Sequence, residues 1–270
     1  MRMIGVRRAD PPGGQLLQQV VMHRRTVLRG GVGLVMGAVV GGLHDTLDTY
    51  AVAEPAPPPV AAPQPPPPPP APPTQFGRGD AGEAVWSLQE QLGAAGFWCG
   101  TPDGGFGHLT EQAVFAVQKT HGLVRDGIAG PATLGALATA ARPTPVAGGD
   151  HLEVHLAHQL ILVVRGGATQ MTLNTSTGNG EPYTFEGHDY IAHTPTGDFA
   201  VWFTDSSGWR EGELGRLYRP MFYDGNYAVH GSDSIPPWPA SHGCARVSTA
   251  AMDMIWAQGL LQMGGRVLVV

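Results

Sequence analysis

In the stretch Ala240-Ser241-His242-Gly243-Cys244-Ala245-Arg246 a cysteine follows a histidine and a glycine, and a second histidine, His230, stands a short spacer upstream with Gly231 behind it. A thiol in this company can become a nucleophile, because the thiolate attacks and an imidazole can take the proton that keeps neutral cysteine inert. Two histidines can serve: His242, two positions from the sulfur, and His230, which arrives from a different segment. Gly243 can adopt backbone angles closed to other residues, and a turn ahead of a helix offers consecutive N–H groups to a developing oxyanion. Arg246 has two readings, a partner for a substrate carboxylate or a salt bridge that ties the motif down. Cys244 also has a rival reading, a disulfide to Cys99, since the chain holds two cysteines.

His230-Gly231, a spacer, and Ser241-His242-Gly243-Cys244-x-Arg246 together resemble the signature of the L,D-transpeptidase catalytic domain, which remodels bacterial peptidoglycan. The resemblance implies that Cys244 is the nucleophile, that His230 is the base and that the Gly231 carbonyl orients its ring. The residues themselves make His242 and Gly243 candidates for an oxyanion-binding turn, and Ser241, Arg246, Tyr227 and Trp238 candidate substrate contacts. The implied reaction is acyl transfer: Cys244 attacks the third residue of a stem tetrapeptide, terminal D-alanine leaves, and a thioester remains. A neighbouring stem's amine then gives a 3→3 cross-link, or water gives L,D-carboxypeptidase activity. The expected partners are peptidoglycan stem peptides and glycan, with no cofactor and no metal. Ala245 and Val247 depart from the larger residues usual in the family. Trp238 can shape the acyl-acceptor side or be a packed aromatic.

These residues need a scaffold, and residues 151–270 read as a mainly β domain. His151 to Leu156 alternates, Leu160 to Val164 is a short apolar run, and Thr169 to Thr175 alternates again. Thr194-Pro195-Thr196-Gly197 resembles the Thr-Pro-x-Gly element of the same family and leads into a strand over Ala200 to Phe203. Tyr227 to His230 reads as a strand ending at the histidine. Ser248 or Thr249 can cap a short helix carrying Met252, Ile255 and Trp256, before a closing strand from Arg266. Thr204 to Gly225, with Trp209, Tyr218 and Tyr223, is a candidate lid or an ordinary long hairpin.

Residues 75–141 read as a small helical unit. Val85, Leu88 and Leu92 recur at helical spacing with Gly96 placed to end the helix; Thr110 can cap a second helix, and Pro131 suits the first turn of a third. Asp103-Gly-x-x-Gly107-x-x-Thr110 is echoed by Asp126-Gly-x-x-Gly130-x-x-Thr133. This arrangement resembles the three-helix peptidoglycan-binding domain. The fold class expected is therefore multidomain, a small all-α unit followed across a 142–150 linker by a mainly β domain.

Residues 1–53 read as an export signal. His23-Arg24-Arg25-Thr26-Val27-Leu28-Arg29 resembles a twin-arginine signal, and the following run, Gly30 to Leu43, is too short and glycine-diluted for the ~20 apolar residues of a membrane span. Cleavage after Ala53, retention as a membrane anchor and a true start at Met22 all stay open; the expected location is the periplasm or cell wall. Residues 54–74 are mostly proline and alanine, a polyproline II spacer of roughly 60 Å at ~3.1 Å per residue.

A net charge of -6 without a basic stripe argues against a nucleic-acid partner, and 39 glycines with 25 prolines argue against a helical bundle. Two rivals remain: a zinc peptidase using His151, Glu153 and His155, with His158 nearby, and a non-catalytic wall-binding protein.

Overall fold

Three helices lead the part of the chain that a computed structural model describes, residues 74–270; the expectations for a signal and a proline spacer in residues 1–73 lie outside it. Helix α1 is Glu83–Ala94, α2 is His108–Thr120 and α3 is Pro131–Ala138. Val85, Leu88 and Leu92 turn inward as their spacing predicts, against Phe97, Phe106, Val114 and Val117. Thr110 does not cap α2, which opens one turn of chain earlier behind Gly107. Its hydroxyl is claimed from across the unit by Gln89, whose Nε2 donates to Thr110 Oγ1 at 3.0 Å and to Asp103 Oδ1 at 2.8 Å. Gln118 repeats this on Thr133 and Asp126 at 3.3 and 2.7 Å. The sequence echo is thus two loops, each stapled by one buried glutamine.

The β part is a sandwich. Strands β1 (His151–His155), β2 (Leu160–Arg165), β3 (Ala168–Asn174), β6 (Gly197–Ala200) and β12 (Arg266–Val269) form a sheet in the order β3-β2-β1-β12-β6. The second sheet is β11-β10-β9-β7, built from β7 (Phe203–Thr204), β9 (Leu217–Asp224), β10 (Tyr227–Ser232) and β11 (Ala245–Ser248), with β8 (Trp209–Arg210) paired to β9. Alternate apolar residues of both sheets meet in one core, Leu152, Val154, Ile161 and Val267 against Met221, Val229, Ala245 and Val247. Helix α4 (Thr249–Ala257) closes it with Met252 and Ile255, and Ser248 caps it by accepting the Ala251 N–H at 3.1 Å.

Two departures from expectation affect the site. The single strand expected over Ala200 to Phe203 is split, because the chain crosses between sheets there: Val201 N–H bonds Gly265 O and Trp202 N–H bonds Phe222 O. Strand β10 runs past His230 to Ser232, since Gly231 and Ser232 still pair with β11. A hairpin that the sequence reading missed, β4 (Pro182–Phe185) and β5 (His188–Ile191), stands off both sheets.

The helical unit and the sandwich are in direct contact. Thr172 of β3 bonds Gly96 O at 2.7 Å, and Leu160 of β2 sits in the helical core.

Candidate active site

Strands β10 and β11 lie side by side and parallel, with Val229 opposite Ala245 and His230 opposite Arg246. Side chains alternate across a strand, so burying Val229, Ala245 and Val247 in the sandwich turns His230 and Arg246 to the other face. Cys244, immediately before β11, joins them there. All three line one cavity of about 570 Å³. Its remaining walls come from the β4–β5 hairpin, through Tyr183 and Tyr190, and from residues 211–216 between β8 and β9. The stretch considered as a lid is therefore a hairpin whose tip borders the cavity, while Tyr223 within it is core.

His230 is 4% exposed and its Nδ1 lies 2.8 Å from Gly231 O. A carbonyl can only accept, so Nδ1 carries the hydrogen and Nε2 keeps its lone pair. Burial, and secondarily the Arg246 charge, pushes His230 down to about 4, against the Gly231 carbonyl, which favours protonation. Burial also raises the Cys244 thiol, with the Ala228 N–H and the Arg246 charge opposing. Both shifts favour a neutral thiol beside a neutral imidazole in the resting site, so a standing ion pair is not its ground state. The thiol donates to Asn226 O at 3.7 Å. Rotation about χ1 moves the sulfur between staggered wells without moving the backbone.

The turn before Cys244 is held from several sides. Ser241 Oγ donates to Cys244 O at 2.7 Å and accepts the Gly243 N–H at 2.9 Å. The expectation for two residues changes accordingly. Gly243 N–H is occupied inside the turn and is not an open oxyanion donor, whereas the Cys244 N–H has no acceptor among the described residues. Ser241 lines the cavity, yet its one hydroxyl proton closes the turn instead of reaching outward. Gly243 sits at φ 137°, and a Cβ there would come within 2.7 Å of His193 O and run into the Tyr227 ring. Gly243→Ala is expected to cost several kcal/mol, since strain and overpacking add, with a lower melting midpoint and collapsed turnover as the readouts. Gly231 is equally confined, a Cβ falling 2.9 Å from Tyr218 Cδ1 and 3.0 Å from Thr249 Cα.

The other expected residues separate. Tyr227 lines the cavity and covers Gly243. His242 reaches the cavity with its ring edge-on to Tyr183, 4.9 Å between centroids; burial lowers its pKa. Arg246 makes no salt bridge among the described residues and donates to Ala240 O at 3.2 Å, so the ion-pair reading of it is set aside. Trp238 is a correction: it is 59% exposed and absent from the cavity wall, because Ser176 and Arg125 hold the carbonyls around it and leave the ring in solvent. It is neither packed nor beside the sulfur.

Thr194 was read only as part of a turn. Its Oγ1 donates to Gly243 O at 2.7 Å and accepts the Gly178 N–H at 3.0 Å, so it anchors the Ser241–Cys244 turn. The hairpin carrying Tyr183, missed in the sequence, did leave a signal there: Glu186-Gly187 is a two-residue turn between Tyr183-Thr184-Phe185 and a second aromatic, Tyr190.

Both rival chemistries lose their residues. Cys99 and Cys244 are free thiols, Cys99 buried in the helical core and donating to Gln89 O at 3.4 Å. Glu153 has each carboxylate oxygen on a histidine, His151 at 3.0 Å and His155 at 2.5 Å, and also accepts the Val146 N–H. Among the described residues no group of three or more His, Cys, Asp or Glu is arranged to hold a metal.

Residues 149–269 match the model of the L,D-transpeptidase catalytic domain, and residues 81–137 match a peptidoglycan binding domain. The crystal structure of the L,D-transpeptidase (residues 123–326) from Xylanimonas cellulosilytica is 44% identical, covers 75% of this chain and all of that one, and superposes with a TM-score of 0.71. An L,D-transpeptidase from Stackebrandtia nassauensis is 23% identical over 74% of this chain and 97% of its own, with a TM-score of 0.41. The N-acetylmuramoyl-L-alanine amidase CwlM of Mycobacterium tuberculosis is 44% identical over 63 residues, which is 23% of this chain and 16% of that protein.

Proposed function

This chain belongs to the L,D-transpeptidase family, and from that footing we propose that it forms 3→3 peptidoglycan cross-links through a thioester on Cys244. The observation that carries the reading is the His230 Nδ1 bond to Gly231 O, which leaves Nε2 free as a base in the cavity that Cys244 also lines. A stem tetrapeptide enters with its third residue's carbonyl against the sulfur. As Sγ forms a bond to that carbon, the thiol proton passes to Nε2. The Cys244 N–H faces the developing oxyanion, and Arg246 supplies a nearby cation for the substrate's carboxylate. The C–N bond to D-alanine then breaks, and the imidazolium returns its proton to the leaving amine.

The thioester is resolved by the side-chain amine of a neighbouring stem, which loses one proton to His230 as the new C–N bond forms; the C–S bond breaks and the imidazolium passes that proton to the departing sulfur, restoring the thiol. Neutral partners suit this two-way traffic: an imidazole stabilised as an ion pair would take the first proton readily and give it back reluctantly. His242 and Tyr183 shape the peptide channel. Export to the periplasm or cell wall, through the arginine-paired segment near residue 24, would bring the enzyme to its substrate.

Mass analysis of muropeptides incubated with the chain lacking residues 1–53 tests this. The expected products are D-alanine and tetrapeptide-derived dimers linked between two third residues. Tripeptide monomers without dimers would instead make water the acceptor. Unchanged muropeptides would refute both.

A further inference from the structure

The helical unit reaches the catalytic turn through one buried lysine. Lys119, in the last turn of α2, is 1% exposed. Its Nζ donates to Gln159 O at 2.8 Å, to Thr175 O at 3.0 Å and to Asn174 Oδ1; none of these partners is a carboxylate. Burial pushes Lys119 down to about 6. The three oxygens work against that burial, since an ammonium has a donor for each of them whereas a neutral amine would leave one bare. Burying an ammonium is costly, and a helix that served only to grip wall material could keep its lysine in water.

Two of these acceptors, Asn174 and Thr175, belong to a rail of chain, residues 174–179, that runs along the Ser241–Arg246 turn. Thr175 Oγ1 donates to Arg246 O at 2.7 Å, and the Arg246 N–H donates to Ser176 O at 3.1 Å. The Ala240 and Ser241 N–H groups both bond Thr177 O, at 3.0 and 2.9 Å, and the Asn179 N–H bonds Ser241 O at 3.0 Å. Gln159, held in the left-handed region at φ 58°, braces the same rail through Thr177, whose N–H it accepts at 2.9 Å and whose hydroxyl it meets at 2.7 Å. The helical unit also grips the loop between His230 and Cys244. Gln112 holds Asn174, which in turn donates to Ile235 O at 3.2 Å, and Arg125 donates to Pro237 O at 3.0 Å.

We infer that Lys119 is a positioning residue of the transferase site: through it the peptidoglycan-binding helices fix the rail on which the Ser241–Arg246 turn hangs. The helices are then a working part of the catalytic centre as well as an anchor. This rests on Cys244 being the nucleophile.

The test uses Lys119→Met in the chain lacking residues 1–53, which keeps the side chain's length and removes every donor. Two rates are measured well below the variant's melting midpoint: D-alanine release, and alkylation of Cys244 by iodoacetamide. Turnover is expected to fall roughly ten- to a hundredfold with KM moved by less than about twofold, as misplacement of a catalytic group predicts. The alkylation rate changes alongside, while sedimentation with insoluble peptidoglycan is retained. A variant that melts earlier but keeps both rates within about twofold of the parent would overturn the inference. Should Lys119→Met not fold, Thr175→Val cuts only the hydroxyl link to Arg246 O; the same fall is expected, and unchanged turnover would overturn it. Absence of D-alanine release by the parent would defeat the proposed reaction instead, and the alkylation comparison would still report on Lys119.

Discussion

Cys244→Ala is expected to abolish D-alanine release, a fall of about 10,000-fold or more, because the acyl group then has nowhere to rest. The fold should survive. Cys244 is only half-buried, its thiol makes one long contact to Asn226 O, and the turn around it is closed by Ser241 and Thr194 through backbone groups that alanine retains. The melting midpoint should therefore move little while turnover vanishes. Cys244→Ser should be nearly as inactive, since His230 is too weak a base to ionise a hydroxyl. Residual release above that of Cys244→Ala would measure how far the turn and Arg246 stabilise the transition state alone.

His230→Ala is expected to lower turnover by about a thousandfold, the middle of the range for a positioned general base. The pH dependence carries more information. His230 works as a base only when neutral, and burial with the Arg246 charge pushes it down to about 4. The rate should therefore hold as pH falls through 6 and fail only toward 4, where the ring gains its proton. Alkylation of Cys244 without substrate should climb with pH through a midpoint above the usual thiol value, because burial raises that thiol. A flat alkylation rate across neutral pH would mean a standing thiolate–imidazolium pair and would contradict the neutral resting state. Stability follows the same sign. An unfolded histidine takes its proton near 6.5 and the folded one near 4, so between those values the unfolded chain binds more protons and the melting midpoint falls as pH drops.

Much of this site was legible in the sequence because local rules govern it. Cys244 and two candidate histidines stand out by type and spacing, the family resemblance chose His230 with Gly231 between them, and the alternation of Val229, Ala245 and Val247 suffices to turn His230 and Arg246 to one face once β10 and β11 are paired. Helices α1 to α3 follow from apolar spacing, a glycine stop and Pro131. What escaped depends on contacts between distant segments. Thr110 looked like a cap because Ser and Thr favour that position, but Gln89 from another helix claimed its hydroxyl. Gly243 looked like an oxyanion donor because glycine turns expose N–H groups; Ser241, two positions away, occupies that N–H. Trp238 looked useful because buried aromatics often are, and only the anchoring of its neighbouring carbonyls shows that its ring faces solvent. Lys119 gave no local signal at all, since a lysine at the end of an amphipathic helix ordinarily faces water.

The covalent step is the centre of this account, and intact-protein mass spectrometry observes it directly. The chain lacking residues 1–53, mixed with a stem tetrapeptide and no amine acceptor, should gain the mass of the tripeptidyl acyl group. That adduct should map to the peptide containing Cys244, disappear with hydroxylamine, and be missing from the Cys244→Ala protein. D-alanine release at full rate with no such adduct, or an adduct that persists without Cys244, would contradict it.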